Sequence, residues 1–345
     1  MRRILALSLS KEAVMQISRK HTHIFWALLV LSACSFSALA QPGPALPATY
    51  GMSNQKAGSV LFYSIYTSNI IWPQQENTRI NITNTHTTQM AYLHLFFVDS
   101  VTCQSADSFV CLTANQTFTF VTSDYDPGIT GYLLAVAVHK DTGLPIQFNY
   151  LIGDYYLKLM SGHNANLGAE AFAALKDNPT TINADGSTVD VKFDDVNYNA
   201  APRMLALNSL PSRLDGNDTL LILTSMWGNL AGGESGSIGG LLGLTYDDAE
   251  KGYSFTMAGG KCQFRSSITD GSPRMVPRFS SIVKAGHVGW MKLWPTANIP
   301  IVGVMINLNQ SANTSVTSFS GGHNLHALST TTTGVFTIPI FIPSC

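Results

Sequence analysis

The chain has 345 residues, with 20 Lys and Arg against 21 Asp and Glu and only 12% charged residues, for a net of −1. Near-neutral charge excludes an electrostatic footprint for nucleic acid or for anionic lipid. So long a chain exceeds one comfortable β-domain and reads as two.

Residues 1–40 have the order of a secretory signal peptide. Arg2, Arg3, Arg19 and Lys20 come first, an apolar run over 24–35 follows, and Ala38-Leu39-Ala40 precedes Gln41. The run is shorter than the roughly 20 residues a membrane span needs. Cleavage is expected after Ala40, leaving Gln41 first. The alternative is the lipobox-like Leu31-Ser32-Ala33-Cys34, which would leave Cys34 as a lipid anchor. Losing 1–40 removes five Lys/Arg and one Glu and leaves a net of −5. No other stretch is long and apolar enough to predict a transmembrane span.

Residues 41–57, rich in Pro, Gly and Ala, predict a flexible leader. Strands are then predicted over 59–66, 78–85, 90–99, 116–122, 131–139 and 147–157. The 78–85 run alternates strictly, with Ile80 and Ile82 inward and Arg79, Asn81 and Thr83 outward. Turn residues separate the runs, as in Asp126-Pro127-Gly128. This density of short strands predicts a first β-sandwich domain over 58–160. Asn166 is placed to cap a short helix over 167–176, with Pro179 beyond it, so 161–180 is expected to be a junction. The second half, 181–345, then repeats the pattern of the first. Residues 217–225 parallel 77–85, 242–255 parallel 95–109, 279–293 parallel 118–134, and 300–307 parallel 145–152. The predicted fold is all-β, with two tandem antiparallel immunoglobulin-like β-sandwich domains and one short junction helix.

The stretches NTRINITNT, LHLFFVDSVTC, DPGITGYLLAVAV, GAEAFAAL, CQFRSS, GWMKLW, GHNLH and IPIFIPSC resemble a family of uncharacterised exported bacterial proteins. The resemblance covers 58–345. It implies a bacterial secreted protein and brings no catalytic residues with it.

Four cysteines follow the signal region: Cys103, Cys111, Cys262 and Cys345. An even number in an exported chain predicts two disulfides. The duplication suggests Cys103 with Cys111 and Cys262 with Cys345, one bridge per half. Gly233-Glu234-Ser235-Gly236 resembles the nucleophile setting of chymotrypsin-type serine proteases. No histidine sits in a matching context, and without a base the serine stays inert. His323 and His326, three apart, would need His163 or His287 beside them to hold a metal. Among the acidic clusters, Asp215, Asn217 and Asp218 are best placed to offer oxygens to calcium, although turn formation is the better explanation of them. Trp227, Trp290 and Trp294 are expected to serve packing, with a sugar-stacking platform as the alternative. Trp290 and Trp294 share parity and so one strand face.

Together these readings predict a secreted or cell-surface, non-enzymatic protein for adhesion, extracellular structure or ligand binding. Its partner would be an extracellular protein or a glycan, with no cofactor. The alternatives are a secreted hydrolase or carbohydrate-active protein with an acidic pair the sequence does not single out, or a lipid-anchored periplasmic assembly subunit.

Overall fold

The computed structural model describes residues 51–309 and 319–345. The expected signal peptide, with Ala38, Ala40, Gln41 and Cys34, and most of the leader lie outside the described residues. Among the described residues, twenty-two strands form five small sheets. In spatial order, sheet I is β4 (Ser105–Leu112), β3 (Ala91–Asp99), β6 (Thr130–Ala137), β1 (Val60–Thr67) and β9 (Glu170–Phe172). Sheet II is β5 (Thr117–Val121), β2 (Asn77–Asn84), β7 (Leu151–Lys158) and β8 (Asn164–Gly168). Sheet III is β10 (Thr188–Phe193), β22 (Gly334–Pro339), β13 (Trp227–Asn229) and β14 (Glu234–Ser235). Sheet IV is β16 (Gly252–Ala258), β15 (Gly240–Tyr246), β18 (Val288–Pro295), β11 (Ala201–Pro211) and β21 (His326–Thr331). Sheet V is β17 (Gln263–Ser267), β12 (Asn217–Ser225), β19 (Ile301–Asn309) and β20 (Gly321–Asn324). Every pairing is antiparallel except β13 with β22.

Five small sheets arranged in a ring, in the manner of a five-bladed β-propeller, replace the two tandem immunoglobulin-like sandwiches the sequence predicted. Three buried clusters explain why. The first lies between sheets I and II but also takes Leu220, Ile222, Val304 and Ile306 from β12 and β19. Sheets II and V meet at their edges, where a Cβ on Gly322 would stand 3.1 Å from the Ala165 Cβ. The second cluster covers the other face of sheet I with sheet III: Phe62 stacks on Tyr132 at 5.2 Å and faces Phe336 at 6.3 Å. Each such ring contributes roughly 1.5–3 kcal/mol through burial. The third cluster joins sheets IV and V. Sheets I and V are therefore apolar on both faces, which a free-standing sandwich would not allow. The described residues, 51–309 and 319–345, accordingly pack as one unit.

The strand order nevertheless repeats. Replacing β1, β3, β4, β6 and β9 by β11, β15, β16, β18 and β21 turns sheet I into sheet IV, strand for strand. Replacing β2, β5, β7 and β8 by β12, β17, β19 and β20 turns sheet II into sheet V. The four strands outside the repeat are those of sheet III.

The expected junction helix is absent; 164–172 forms β8 and β9 instead. Ala165 and Leu167 turn inward while Asn164 and Asn166 face solvent, a period of two. The helix propensity of this Ala-rich sequence is high but is overridden by the unpaired backbone of β7 and β1, which these strands satisfy. The only α-helical segment among the described residues is a single turn, Phe279–Ile282.

The disulfide pairing is also corrected. Cys103 bonds Cys262 with Cα atoms 5.8 Å apart, and Cys111 bonds Cys345 at 6.1 Å. Each bridge links the first half to the second, because Cys103 and Cys262 enter the same buried cluster. Two disulfides are the usage of an oxidising, extracytoplasmic compartment. No helix among the described residues is long and apolar enough to cross a membrane.

Candidate binding face on sheet IV

Strands β15 and β18 alternate strictly between the third cluster and the outside. Leu241, Met291 and Leu293 point in, while Leu242, Leu244, Tyr246, Trp290, Lys292 and Trp294 alternate with them and are only half-buried. The register sets Leu242 beside Trp294, Leu244 beside Lys292 and Tyr246 beside Trp290. The Tyr246 and Trp290 rings stack at 4.4 Å and 7°, a cross-strand aromatic pair. Lys292 Nζ lies 5.6 Å from the Tyr246 centroid, close enough for a cation–π attraction. Exposed Ser254 and Thr256 on β16 and Asn208 on β11 supply hydrogen-bonding groups around this apolar centre.

Two open grooves flank the stripe. One, of about 650 Å³, runs between Leu242, Leu244 and Trp294 and the loop bearing Arg274 and Val276, the latter 89% exposed. The other, about 510 Å³, lies around Tyr246, Trp290 and Asn208 beside Asp248 and Glu250. His287 Nδ1 contacts the Asp248 carboxylate at that end.

The repeat makes this face informative. In sheet I the equivalent positions, among them Phe96, Val98, Tyr132 and Leu134, are sealed beneath sheet III. In sheet IV they are half-buried, with no sheet over them, yet carry two tryptophans, a tyrosine and two leucines. Packing was expected to use Trp290 and Trp294, but neither belongs to a buried cluster. Trp227 lies elsewhere, on β13, at 37% exposure.

The other sequence-predicted residues are scattered. The Asp215 carboxylate accepts from the Gly286 N–H at 2.9 Å, and Asn217 Oδ1 accepts from Asn309 Nδ2 at 3.0 Å. Asp218 sits 3.6 Å from both His163 and Arg213. These oxygens fix loops, and among the described residues no three His, Cys, Asp or Glu side chains converge on a metal position. His323 and His326 stand with ring centroids 5.9 Å apart on strands of different sheets. His163 instead bonds Ser161, and His287 contacts Asp248. Asp185 accepts from the backbone and hydroxyl of Thr188, which holds its carboxyl below the usual range and marks it as a turn former.

Ser235 lies on β14, opposite Gly228. A fluorophosphonate probe is expected to leave the protein unlabelled; stoichiometric labelling lost in Ser235→Ala would reverse that reading. Sequence reasoning missed Glu170, buried at 4% exposure and pushed up to about 7 by desolvation. Its Oε1 accepts from Asn324 Nδ2 at 2.6 Å. A carboxyl poised near neutrality can serve as a general acid, but this one is sealed in the interior and no second carboxylate contributes to its shift. It is structural here.

No family model matches the chain, and no curated protein or solved structure matches it.

Proposed function

We propose that this chain is an exported, extracytoplasmic binding protein without catalytic activity, and that the outer face of sheet IV takes a neutral glycan. The open aromatic face, set against its buried counterpart in sheet I, carries the reading. Aromatic faces have a negative quadrupole that attracts the polarised C–H groups of a sugar ring. The hydroxyls of Ser254 and Thr256, the Asn208 amide and the Arg274 guanidinium offer the polar contacts that orient such a ligand. Adhesion to a glycan-bearing surface follows from the same chemistry.

The test is retention on a panel of immobilised neutral oligosaccharides. Wild-type protein is expected to bind at least one of them. Trp294→Ala should weaken that binding about tenfold, the equivalent of about 1.4 kcal/mol, without changing the circular dichroism spectrum. Absence of binding across the panel, or equal binding by the variant, would refute the assignment.

A further inference from the structure

The loop joining β1 to β2 presents three consecutive apolar side chains to solvent. Ile70 is 71% exposed, Ile71 75% and Trp72 55%. Isolated exposed apolar residues are ordinary; three in a row including a tryptophan are not.

The loop is built to hold them there. Asn69 Oδ1 accepts from both the Ile71 and Trp72 N–H groups at 2.9 Å. The Trp72 carbonyl accepts from Gln75 at 2.9 Å and Glu76 at 3.1 Å, closing the turn. Ser68 ties its base to the loop between β5 and β6, through the Ile129 carbonyl at 2.9 Å and the Asp126 carbonyl at 2.6 Å. Ile70 packs over Gly128 in that second loop, where a Cβ would come within 2.8 Å of Ile70 Cδ1. A third loop, between β3 and β4, is fastened alongside by Ser100 N–H to the Thr130 carbonyl at 3.0 Å. It adds Val101, 75% exposed, whose N–H is fixed by Asp99 Oδ1.

Two of these neighbouring loops thus present exposed apolar side chains, and none of the three contains Lys or Arg over 68–76, 99–104 or 122–130. They carry Glu76, Asp99, Asp124 and Asp126 instead. Ile70, Ile71 and Trp72 are each more than half exposed. The interfacial layer of a bilayer takes such apolar side chains whatever their direction, and tryptophan favours that layer. The four carboxylates of these loops, with Arg265 beside Glu76 the neighbouring cation, disfavour anionic headgroups.

We propose that the Ile70-Ile71-Trp72 tip, with Val101 beside it, is a membrane-docking site that inserts into bilayers of zwitterionic lipid. It is independent of the glycan reading, since it lies on loops of the first half and uses none of the sheet IV residues.

Sedimentation with phosphatidylcholine vesicles, and with vesicles in which phosphatidylglycerol replaces half of the lipid, decides the matter. The mature protein should co-sediment with the neutral vesicles, with a blue shift in tryptophan emission. Adding phosphatidylglycerol should lower the bound fraction. The triple variant Ile70→Ser, Ile71→Ser, Trp72→Ser should bind at least tenfold more weakly at an unchanged melting temperature, while Trp294→Ala binds like wild type. No wild-type binding to neutral vesicles would overturn the proposal and point to a protein partner. So would binding that requires phosphatidylglycerol, or undiminished binding by the triple variant.

Discussion

Replacing Cys103 and Cys262 together by alanine is expected to lower the unfolding free energy by about 5 kcal/mol. The bridge closes a loop of 159 residues, and the chain-entropy model makes its stabilisation grow with the logarithm of that length. Both cysteines are fully buried in the cluster shared by sheets I and III, so the variant also loses packing there. The alternative bridge between Cys103 and Cys111 would close only a short loop and contribute roughly 2–3 kcal/mol. Urea titration of the double variant against wild type measures the difference. A loss below about 2 kcal/mol would mean that packing and the remaining Cys111–Cys345 bridge already hold the two halves together. A non-reducing peptide map reads the pairing directly, and a linked Cys103–Cys111 peptide would contradict the fold. The partly exposed Cys111–Cys345 bridge should be reduced first by dithiothreitol, because Cys345 lies open to solvent.

Glu170→Gln should stabilise the protein by about 3 kcal/mol at pH 8 and leave it unchanged at pH 4. Burial raises the folded carboxyl from 4.5 to about 7, while the unfolded chain keeps the ordinary value. The folded state therefore binds the proton more tightly. Its contribution to stability is complete below about pH 4.5 and is lost progressively as pH rises toward 7. Glutamine keeps an oxygen to accept from Asn324 and removes the ionisation, so the variant should lack this slope. Paired urea titrations at pH 4, 6 and 8 test it. Parallel pH profiles for the two proteins would show that Glu170 stays charged with a partner or is solvated in solution.

How much of this was legible in the sequence depends on how far each signal reaches along the chain. The alternation of 78–85 gave β2 with Ile80 and Ile82 buried and Arg79 exposed. The likeness of 217–225 to 77–85, and of 242–255 to 95–109, anticipated the repeated strand order, since β12 occupies in sheet V the place of β2 in sheet II. Shared parity put Trp290 and Trp294 on one face, as found. What remained hidden was long-range. Sheet III pairs 188–193 with 334–339, and nothing local to either segment announces the other. Without that sheet, the two-faced burial of β3 and β6 reads as ordinary strand hydrophobicity, and the halves look separable. The same blindness misassigned the disulfides, whose partners are set by packing between halves. Glu170 stood within an Ala-rich run that favours helix, so its burial had no sequence signal. The Ile-Ile-Trp tip fell between the predicted strands 59–66 and 78–85 and drew no reading, because exposure, unlike hydropathy, is a property of the folded chain.

The interleaved bridges also constrain how the molecule can be made. The disulfide-bonded cysteines are synthesised in the order 103, 111, 262, 345, yet the native partners are first with third and second with fourth. An oxidase that joins thiols as they emerge meets Cys103 and Cys111 long before Cys262 arrives. Those two lie on or beside adjacent strands of one hairpin and can react early. Any such premature bond must be undone by thiol–disulfide exchange before sheet III can close over sheet I. The maturation of this protein should accordingly depend on a disulfide isomerase and slow markedly in its absence, whereas a chain with sequential bridges would need only the oxidase.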